Sequence, residues 1–125
     1  MIYGIGVDIV EVHRFDNVTI KFLERVFTPS EIEYASRAAS PSQRYAVRFA
    51  AKEAFLKAIG TGLRDCTFQD MEVYHDHLGK PFLKLHGRLA VFSHIEQYRV
   101  HLSLSHTAQQ AIAYCVVESI TTPLS

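Results

Sequence analysis

The sequence predicts an α+β fold in which helices pack on an antiparallel-rich sheet. Three segments carry this prediction: residues 2–10 alternate in polarity, residues 41–59 are filled with good helix formers, and residues 100–105 alternate again before a last apolar run at 110–118. Strands at both ends of a chain with helices between them are typical of α+β proteins. A length of 125 residues fits a single domain, 1–125.

Charge and composition exclude several classes of protein. Thirteen basic and thirteen acidic residues balance, so no net field directs the chain to nucleic acid or to an anionic membrane. No apolar run approaches the roughly 20 residues that span a bilayer. Met1–Val10 lacks the charged and small-residue features of a signal peptide. Cys66 and Cys115 have no metal-ligand or redox spacing, so free thiols in a reducing cytoplasm are expected.

The first strand carries a single carboxylate between glycines. Its two faces are Ile5, Val7 and Ile9 on one side, and Gly4, Gly6 and Asp8 on the other. Because glycine weakens a strand, its use beside Asp8 indicates a close approach to the backbone, either by a ligand or by a packed helix.

Three helices are predicted to follow. Apolar residues at helical spacing over 15–27 predict the first, and Thr28-Pro29-Ser30-Glu31 is a capping box that opens the second, which runs to about Ala38. Residues 40–43, SPSQ, repeat this signature before the long helix, 41–59, which Gly60 ends in a left-handed C-cap.

The second half of the chain is predicted to return to strands. Residues 68–74 and 82–85 form a hairpin, and His75 and His77 are interpreted as solvated side chains at its turn. Residues 86–97 have the spacing of an amphipathic helix, residues 100–105 form a strand that ends in His106 and Thr107, and the last strand, 110–118, is expected to be buried on both faces.

Two carboxylates are candidates for a metal site. Phe49, Glu53 and Lys57 are four residues apart on one face of the long helix, beside the flexible turn at residues 60–62. A hard cation such as Mg²⁺ needs few protein oxygens when a pyrophosphate supplies more, so Asp8 and Glu53 suffice as ligands, with Lys57 neutralising phosphate charge. The alternative is an exposed Glu–Lys pair that contributes only about 0.3 to 0.5 kcal/mol.

The order of the motifs resembles the holo-acyl-carrier-protein synthases, which are 4'-phosphopantetheinyl transferases. The resemblance covers nearly the whole chain and is carried by GIGVDIVE at 4–11, RFAAKEA at 48–54 with GTG at 60–62, GKP at 79–81, and SLSHT at 103–107. It implies a transferase in which a serine of apo acyl carrier protein attacks the β-phosphate of coenzyme A and releases 3',5'-ADP, in fatty acid biosynthesis.

The resemblance also implies roles for individual residues. Asp8 and Glu53 match the metal ligands, for Mg²⁺ or Mn²⁺, and Lys57 matches the phosphate-side lysine. Glu53 takes the serine proton either directly or through a water held by the metal. Gly60 and Gly62 line the coenzyme A site with Lys57. Arg48, His106 and Thr107 belong near its nucleotide, although a polar turn at the strand end is the alternative for the last two.

The carrier protein is acidic, and the resemblance places its docking surface after the first strand. Arg14, Lys21, Phe22 and Arg25 match that region, with an apolar contact between cations, whereas a solvated helix face is the alternative. Family members form homotrimers with active sites between subunits, which accords with a last strand buried on both faces.

Two other functions remain open from the residues alone. One is a metal-dependent pyrophosphohydrolase that uses water as the acceptor. The other is a non-catalytic coenzyme A-binding module in which the carboxylates are structural.

Overall fold

The computed structural model describes residues 1–120; of the tail at 120–125, to which the sequence assigns no element, residues 121–125 lie outside the described residues. Within the described residues there are five strands: β1 (Ile2–Glu11), β2 (Met71–His75), β3 (Pro81–Leu85), β4 (Tyr98–His106) and β5 (Gln110–Ser119). Three α-helices follow β1: α1 (Ile20–Val26), α2 (Pro29–Ser36) and α3 (Pro41–Ile59). Short 3₁₀ segments span Val12–Phe15, Phe68–Asp70 and Gly87–Ser93.

The strands form two antiparallel sheets. The larger has the order β1-β5-β4, so the last strand lies between the first and the fourth. The smaller is the hairpin of β2 and β3. Within residues 1–120 no helix is long and apolar enough to cross a lipid bilayer. The predicted α+β fold with antiparallel sheets is confirmed.

Helix α3 packs against β1 at the two strand glycines. A Cβ on Gly4 would lie 1.7 Å from the carbonyl oxygen of Ala58, and one on Gly6 would lie 1.8 Å from that of Ala54. No larger side chain fits there, so of the two explanations for these glycines the close approach of a helix is the observed one.

Two of the three predicted helix caps are present in the structure. Thr28 and Glu31 form the predicted capping box of α2, and Gly60 ends α3 in the left-handed region, with φ of 78°. Ser40 precedes α3 without a side-chain cap bond, so the second predicted box is wrong. Instead the hydroxyl of the nearby Ser42 donates to Asp16 Oδ1 at 2.6 Å, which ties the start of α3 to the segment after β1.

Three predicted elements differ in extent or type. The helix predicted over 15–27 begins only at Ile20, because Thr19 caps it by accepting from Phe22 N at 3.1 Å. The strand predicted over 68–74 begins at Met71, after a 3₁₀ turn. The helix predicted over 86–97 is a 3₁₀ segment, Gly87–Ser93, that starts at a glycine with φ of 60°.

The expectation that β5 is buried on both faces is wrong for the single chain. Its inner face is fully buried, whereas its outer face shares exposed apolar side chains with β1. Five of these are between 40% and 59% exposed: Ile5, Val7, Ile9, Ile112 and Tyr114. We call this set the outer sheet face.

Candidate active site

Asp8 lies on the side of β1 that faces α3. It follows Gly4 and Gly6 in the alternation of the strand, so the close contact of that strand with α3 brings its carboxylate next to the helix. Lys57 connects α3 to β1, because its Nζ donates to Asp8 Oδ1 at 3.0 Å and to the carbonyl of Val7 at 2.9 Å. The Asp8 side chain is only 16% exposed, and that of Lys57 is 53% exposed.

Glu53 lies one helical turn before Lys57 and is electrically coupled to Asp8. Partial burial and the Asp8 carboxylate both raise the pKa of Glu53, whereas Lys57 and Arg14 lower it. A cation bound between the Asp8 and Glu53 carboxylates would stabilise this arrangement, because it would neutralise two negative charges that lie close together. The donor set therefore fits a hard divalent metal.

A metal at this point would have few protein ligands. Within residues 1–120 no three histidine, cysteine, aspartate or glutamate side chains converge on one position. Two carboxylate oxygens from Asp8 and Glu53 leave the remaining positions to water and to a phosphate-bearing ligand, as is usual for Mg²⁺.

An open groove of about 430 Å³ runs from Glu53 to the turn that follows α3. It is lined by Glu53 and Lys57, by the two glycines at 60 and 62, and by Leu56 and Leu63. Both glycines have positive φ, and a Cβ on either would meet nothing within 4 Å, so the turn presents bare backbone to the groove. The structure thus brings together the five predicted residues Asp8, Glu53, Lys57, Gly60 and Gly62.

A second cleft, of about 540 Å³, contains two of the three predicted nucleotide residues. Arg48 and His106 both line it, together with Arg44, Tyr34 and His75. The guanidinium carbons of Arg44 and Arg48 lie 3.9 and 4.4 Å from the centroid of the Tyr34 ring. These two cations and two histidines make the cleft suited to an anion.

Arg48 is the buried member of this cluster. It is 3% exposed, and its Nε has no hydrogen-bond partner among the described residues. Its Nη1 donates to the carbonyl of Arg44 at 3.2 Å, and its Nη2 lies 3.4 Å from Nδ1 of His75. Burial lowers the pKa of Arg48, and burial with the two arginines lowers that of His75. Among residues 1–120 no carboxylate forms a hydrogen bond or ion pair with Arg48, so its guanidinium is suited to an anionic ligand.

Thr107 has a different place from His106. Its hydroxyl accepts from the backbone amides of Gln109 and Gln110, at 3.2 and 3.0 Å, in the turn between β4 and β5. This is the polar strand-end turn that the residues alone allowed. Thr107 does not line the cleft that contains His106.

Sequence reasoning missed three side chains of this cleft. Arg44 precedes Arg48 by four residues in a predicted helix, so the helical period was a usable signal for it. Tyr34 and His75 come from α2 and from the end of β2, and their stacked rings, 6.2 Å apart, depend on tertiary packing. His75 is an exposed hairpin residue, as the sequence predicts, and it also lines the cleft, which the sequence does not indicate.

Three of the four predicted docking residues lie in helix α1, and the fourth lies in the 3₁₀ segment before it. Arg14 lies in the 3₁₀ turn after β1, with its guanidinium 5.6 Å from the ring centroid of Phe49. Lys21 and Arg25 are exposed on one face of α1. Phe22 is half-buried, because its ring packs 6.2 Å from that of Phe15.

The fold and this site define a class of protein. The family model described as the 4'-phosphopantetheinyl transferase superfamily matches residues 4–115. Because the match spans most of the chain, the chain belongs to this superfamily.

Individual relatives within the superfamily share one name. The chain is 50% identical over 124 residues to a holo-[acyl-carrier-protein] synthase of Geobacter sulfurreducens, covering 94% of this chain and 98% of the relative. A crystal structure of a holo-(acyl-carrier-protein) synthase from Bacillus anthracis in complex with CoA (3',5'-ADP) is 40% identical, has a TM-score of 0.80, and covers 95% of this chain and 98% of that one.

A third relative gives a similar fold match. The crystal structure of holo-[acyl-carrier-protein] synthase from Neisseria meningitidis is 38% identical, with a TM-score of 0.84, over 95% of this chain and 100% of that one. The predicted family and the predicted enzyme class, a phosphopantetheinyl transferase, are confirmed.

Proposed function

We propose that this chain transfers the 4'-phosphopantetheine group of coenzyme A to a serine of apo acyl carrier protein, releases 3',5'-ADP, and serves fatty acid biosynthesis. The observation that carries the proposal is the arrangement of Asp8, Glu53 and Lys57 beside the glycine turn, in a chain that matches the superfamily over 4–115. The named relatives support the choice of substrate and acceptor.

Asp8 and Glu53 are the proposed ligands of Mg²⁺, or of Mn²⁺ in its place. Partial burial raises the pKa of Glu53 and the Asp8 carboxylate raises it further, which supports this assignment, because a cation between the two carboxylates would relieve their repulsion. When bound, such a cation would withdraw charge from the pyrophosphate and so favour attack at phosphorus.

Lys57 and the turn at 60–62 are proposed to hold the phosphates. The Lys57 side chain is about half exposed and lines the groove, so its ammonium can exchange part of its contact with Asp8 for a phosphate oxygen. The exposed backbone of Gly60 and Gly62 lets a phosphate approach closely. Glu53 accepts the proton of the attacking serine, directly or through water.

The cleft around Arg48 and His106 is the proposed site of the nucleotide. The buried guanidinium of Arg48, whose Nε has no hydrogen-bond partner within residues 1–120, supports the binding of a phosphate monoester such as the 3'-phosphate of coenzyme A. Thr107 is the weakest of the proposed nucleotide contacts, because its hydroxyl already caps a turn.

The basic face of α1 is the proposed docking surface for the acidic carrier. Arg14, Lys21 and Arg25 supply exposed positive charge, and Phe22 supplies an apolar contact between them. Such charges mainly set the rate of encounter and the choice of partner.

A homotrimer is the proposed assembly, and the cytoplasm is its proposed location. The outer sheet face is a contiguous apolar surface on β1 and β5, of the kind that subunit contacts cover. Cys66 and Cys115 are free thiols, which fits a reducing compartment.

The proposed function is tested by incubating the protein with apo acyl carrier protein, coenzyme A and Mg²⁺, and following the mass of the carrier. We expect the carrier to gain one phosphopantetheine and 3',5'-ADP to appear in equal amount. A reaction that releases 3',5'-ADP at the same rate without the carrier would identify a hydrolase instead. Binding of coenzyme A with no turnover for any carrier and metal would identify a non-catalytic module.

A further inference from the structure

The short helix α1 is held at its C-terminal end by side chains from other parts of the chain. It has seven residues, too few to be stable alone, so its position depends on outside contacts. Lys52 Nζ donates to the carbonyl of Val26 at 2.7 Å. The amide of Gln69 donates to the carbonyls of Glu24 and Phe27, the latter at 3.3 Å. Three carbonyls at the end of this helix therefore have donors from α3 and from the 3₁₀ turn before β2.

Lys52 belongs to a fully buried ion pair. Its Nζ donates to Glu31 Oε1 at 2.6 Å and lies 5.1 Å from the ring centroid of Phe27, with the two charged side chains 0% and 1% exposed. Glu31 also accepts from the backbone amides of Thr28 at 2.9 Å and Val73 at 2.8 Å. The pair thus joins the junction of α1 and α2 to α3 and to the hairpin.

A gain in folding stability does not explain why a buried ion pair is present here. Apolar residues of similar volume in place of a buried ion pair often leave stability unchanged or increase it, because removing two charges from water is costly. Burial lowers the pKa of Lys52, in keeping with this cost, and Glu31 opposes the shift. Unlike an apolar pair, the ion pair fixes the distance between its hydrogen-bonded groups.

The position of Lys52 in α3 links this contact to the active site. Lys52 directly precedes Glu53, and consecutive side chains leave a helix about 100° apart. The same turn of α3 therefore reaches α1 through Lys52 and the carboxylate pair through Glu53.

We propose that Lys52 is a positioning residue that, with Glu31 and Gln69, fixes the carrier-docking helix α1 relative to Glu53. We call these three residues the corner clamp. The proposal rests on the proposed function, since it assumes that α1 receives the carrier. It predicts that loss of the corner clamp lowers kcat/KM for the carrier protein and does not change the affinity for coenzyme A.

The decisive variant removes both charges, as Lys52→Met with Glu31→Gln. With the carrier varied at saturating coenzyme A, we expect kcat/KM for the carrier to fall about tenfold or more, because a displacement of about 1 Å at a reacting centre has effects of this size or larger. The dissociation constant of coenzyme A, measured by calorimetry, should stay within about twofold, since none of the three residues lines either cleft.

Leu89→Ala is the matched control for loss of stability. Leu89 is 3% exposed in the Gly87–Ser93 segment, outside α1 and the corner clamp, so its truncation leaves a cavity that destabilises the protein. Its kcat/KM for the carrier should remain at the wild-type value. If the charge-free variant also keeps wild-type kcat/KM, the positioning role is refuted.

Gln69→Ala tests the same clamp at an exposed residue, where folding is not at risk. Amide hydrogen exchange of Leu23 and Phe27 in α1, measured on the free enzyme, should be faster in this variant and in the charge-free variant, but not in Leu89→Ala. Unchanged exchange in Gln69→Ala would refute the clamp, whether or not the charge-free variant folds. Because this measurement needs no turnover, its outcome is separate from any failure of the proposed transferase activity.

Discussion

Asp8 reaches α3 because the two residues that precede it on its strand face are glycines. Any side chain at either position would meet a backbone carbonyl of the helix, and a backbone atom cannot move aside as a flexible side chain can. The glycines therefore set the distance between the two proposed metal ligands, one on the strand and one on the helix. Their contribution to function is geometric.

Gly6→Ala is predicted to destabilise the protein and to reduce activity. A Cβ at 1.8 Å from the Ala54 carbonyl forces α3 away from β1, and overpacking of this kind costs about 1 to 3 kcal/mol or more. Urea unfolding measures the loss. Gly79→Ala is the control, because its Cβ would meet nothing within 4 Å and only its φ of 85° is unfavourable. An equal loss in both variants would contradict the close-contact explanation.

His75 is predicted to make stability fall in mild acid. Burial, Arg48 and Arg44 lower its pKa, and Asp76 only partly opposes them. The unfolded chain, with a histidine pKa of about 6.5, then binds a proton that the folded chain does not, so stability is lost as pH falls through about 6.5.

His75→Gln should therefore show a smaller drop in the free energy of unfolding than wild type between about pH 7.5 and 5.5. His77→Gln, on the same hairpin but outside the arginine cleft, controls for the loss of a histidine. Equal drops in wild type and His75→Gln would contradict the assignment.

At the scale of elements, the sequence was most informative where one local rule decides the structure. The long helix and its glycine cap were predicted to the residue, because helix formers fill the interior and only glycine enters the left-handed region easily. The capping box of α2 is equally local. Strand β1 was also evident from its alternation.

Elements that depend on tertiary contacts were not predictable in the same way. Helical spacing over 86–97 was real, but the glycine at 87 has positive φ, and of the Gly87–Ser93 segment only Leu89 is buried, so a 3₁₀ segment forms. The 3₁₀ turn before β2 did have a signal, since Asp70, three residues after Thr67, accepts from the Thr67 backbone amide at 2.9 Å. In the candidate active site, helical spacing predicted that Glu53 and Lys57 share one face. The stacking of Tyr34 on His75 had no signal in the local sequence.

Helix α1 is predicted to govern affinity for the carrier through its charges. Lys21→Glu with Arg25→Glu should raise the KM for acyl carrier protein and weaken its salt dependence, because attraction becomes repulsion. Coenzyme A binding should not change. Calorimetry and steady-state kinetics at two salt concentrations measure both effects.

Arg88→Glu is the control for a charge reversal elsewhere. Arg88 is exposed and pairs with Asp65 at 2.7 Å, outside the docking residues. A rise in carrier KM that is as large in this variant would mean that net charge, and not the docking surface, controls the encounter.

At the scale of the whole molecule, one face of the larger sheet has no covering layer within the described chain. Its inner side is filled by small residues of β5 under α3, and its outer side presents isoleucine, valine and tyrosine to solvent. An antiparallel sheet with one wet face usually has polar residues there, so this composition favours a subunit contact.

Light scattering is predicted to give a molar mass about three times the chain mass of 14.2 kDa. Tyr114→Glu should shift the protein toward the monomer, because a charge would then lie in the centre of the outer sheet face. Tyr74→Glu changes a similarly exposed tyrosine of the hairpin and should leave the mass unchanged. A wild-type monomer at micromolar concentration would contradict the proposed assembly.

The central claim is that Asp8 and Glu53 hold the cation on which transfer depends. The most direct test is the rate of phosphopantetheine transfer to apo acyl carrier protein by Asp8→Asn and Glu53→Gln, each nearly isosteric, with Glu11→Gln as the carboxylate control on the same strand. We predict that each of the first two lowers kcat/KM by about 100-fold or more while Glu11→Gln retains activity. Wild-type transfer rates in Asp8→Asn or Glu53→Gln would contradict the account.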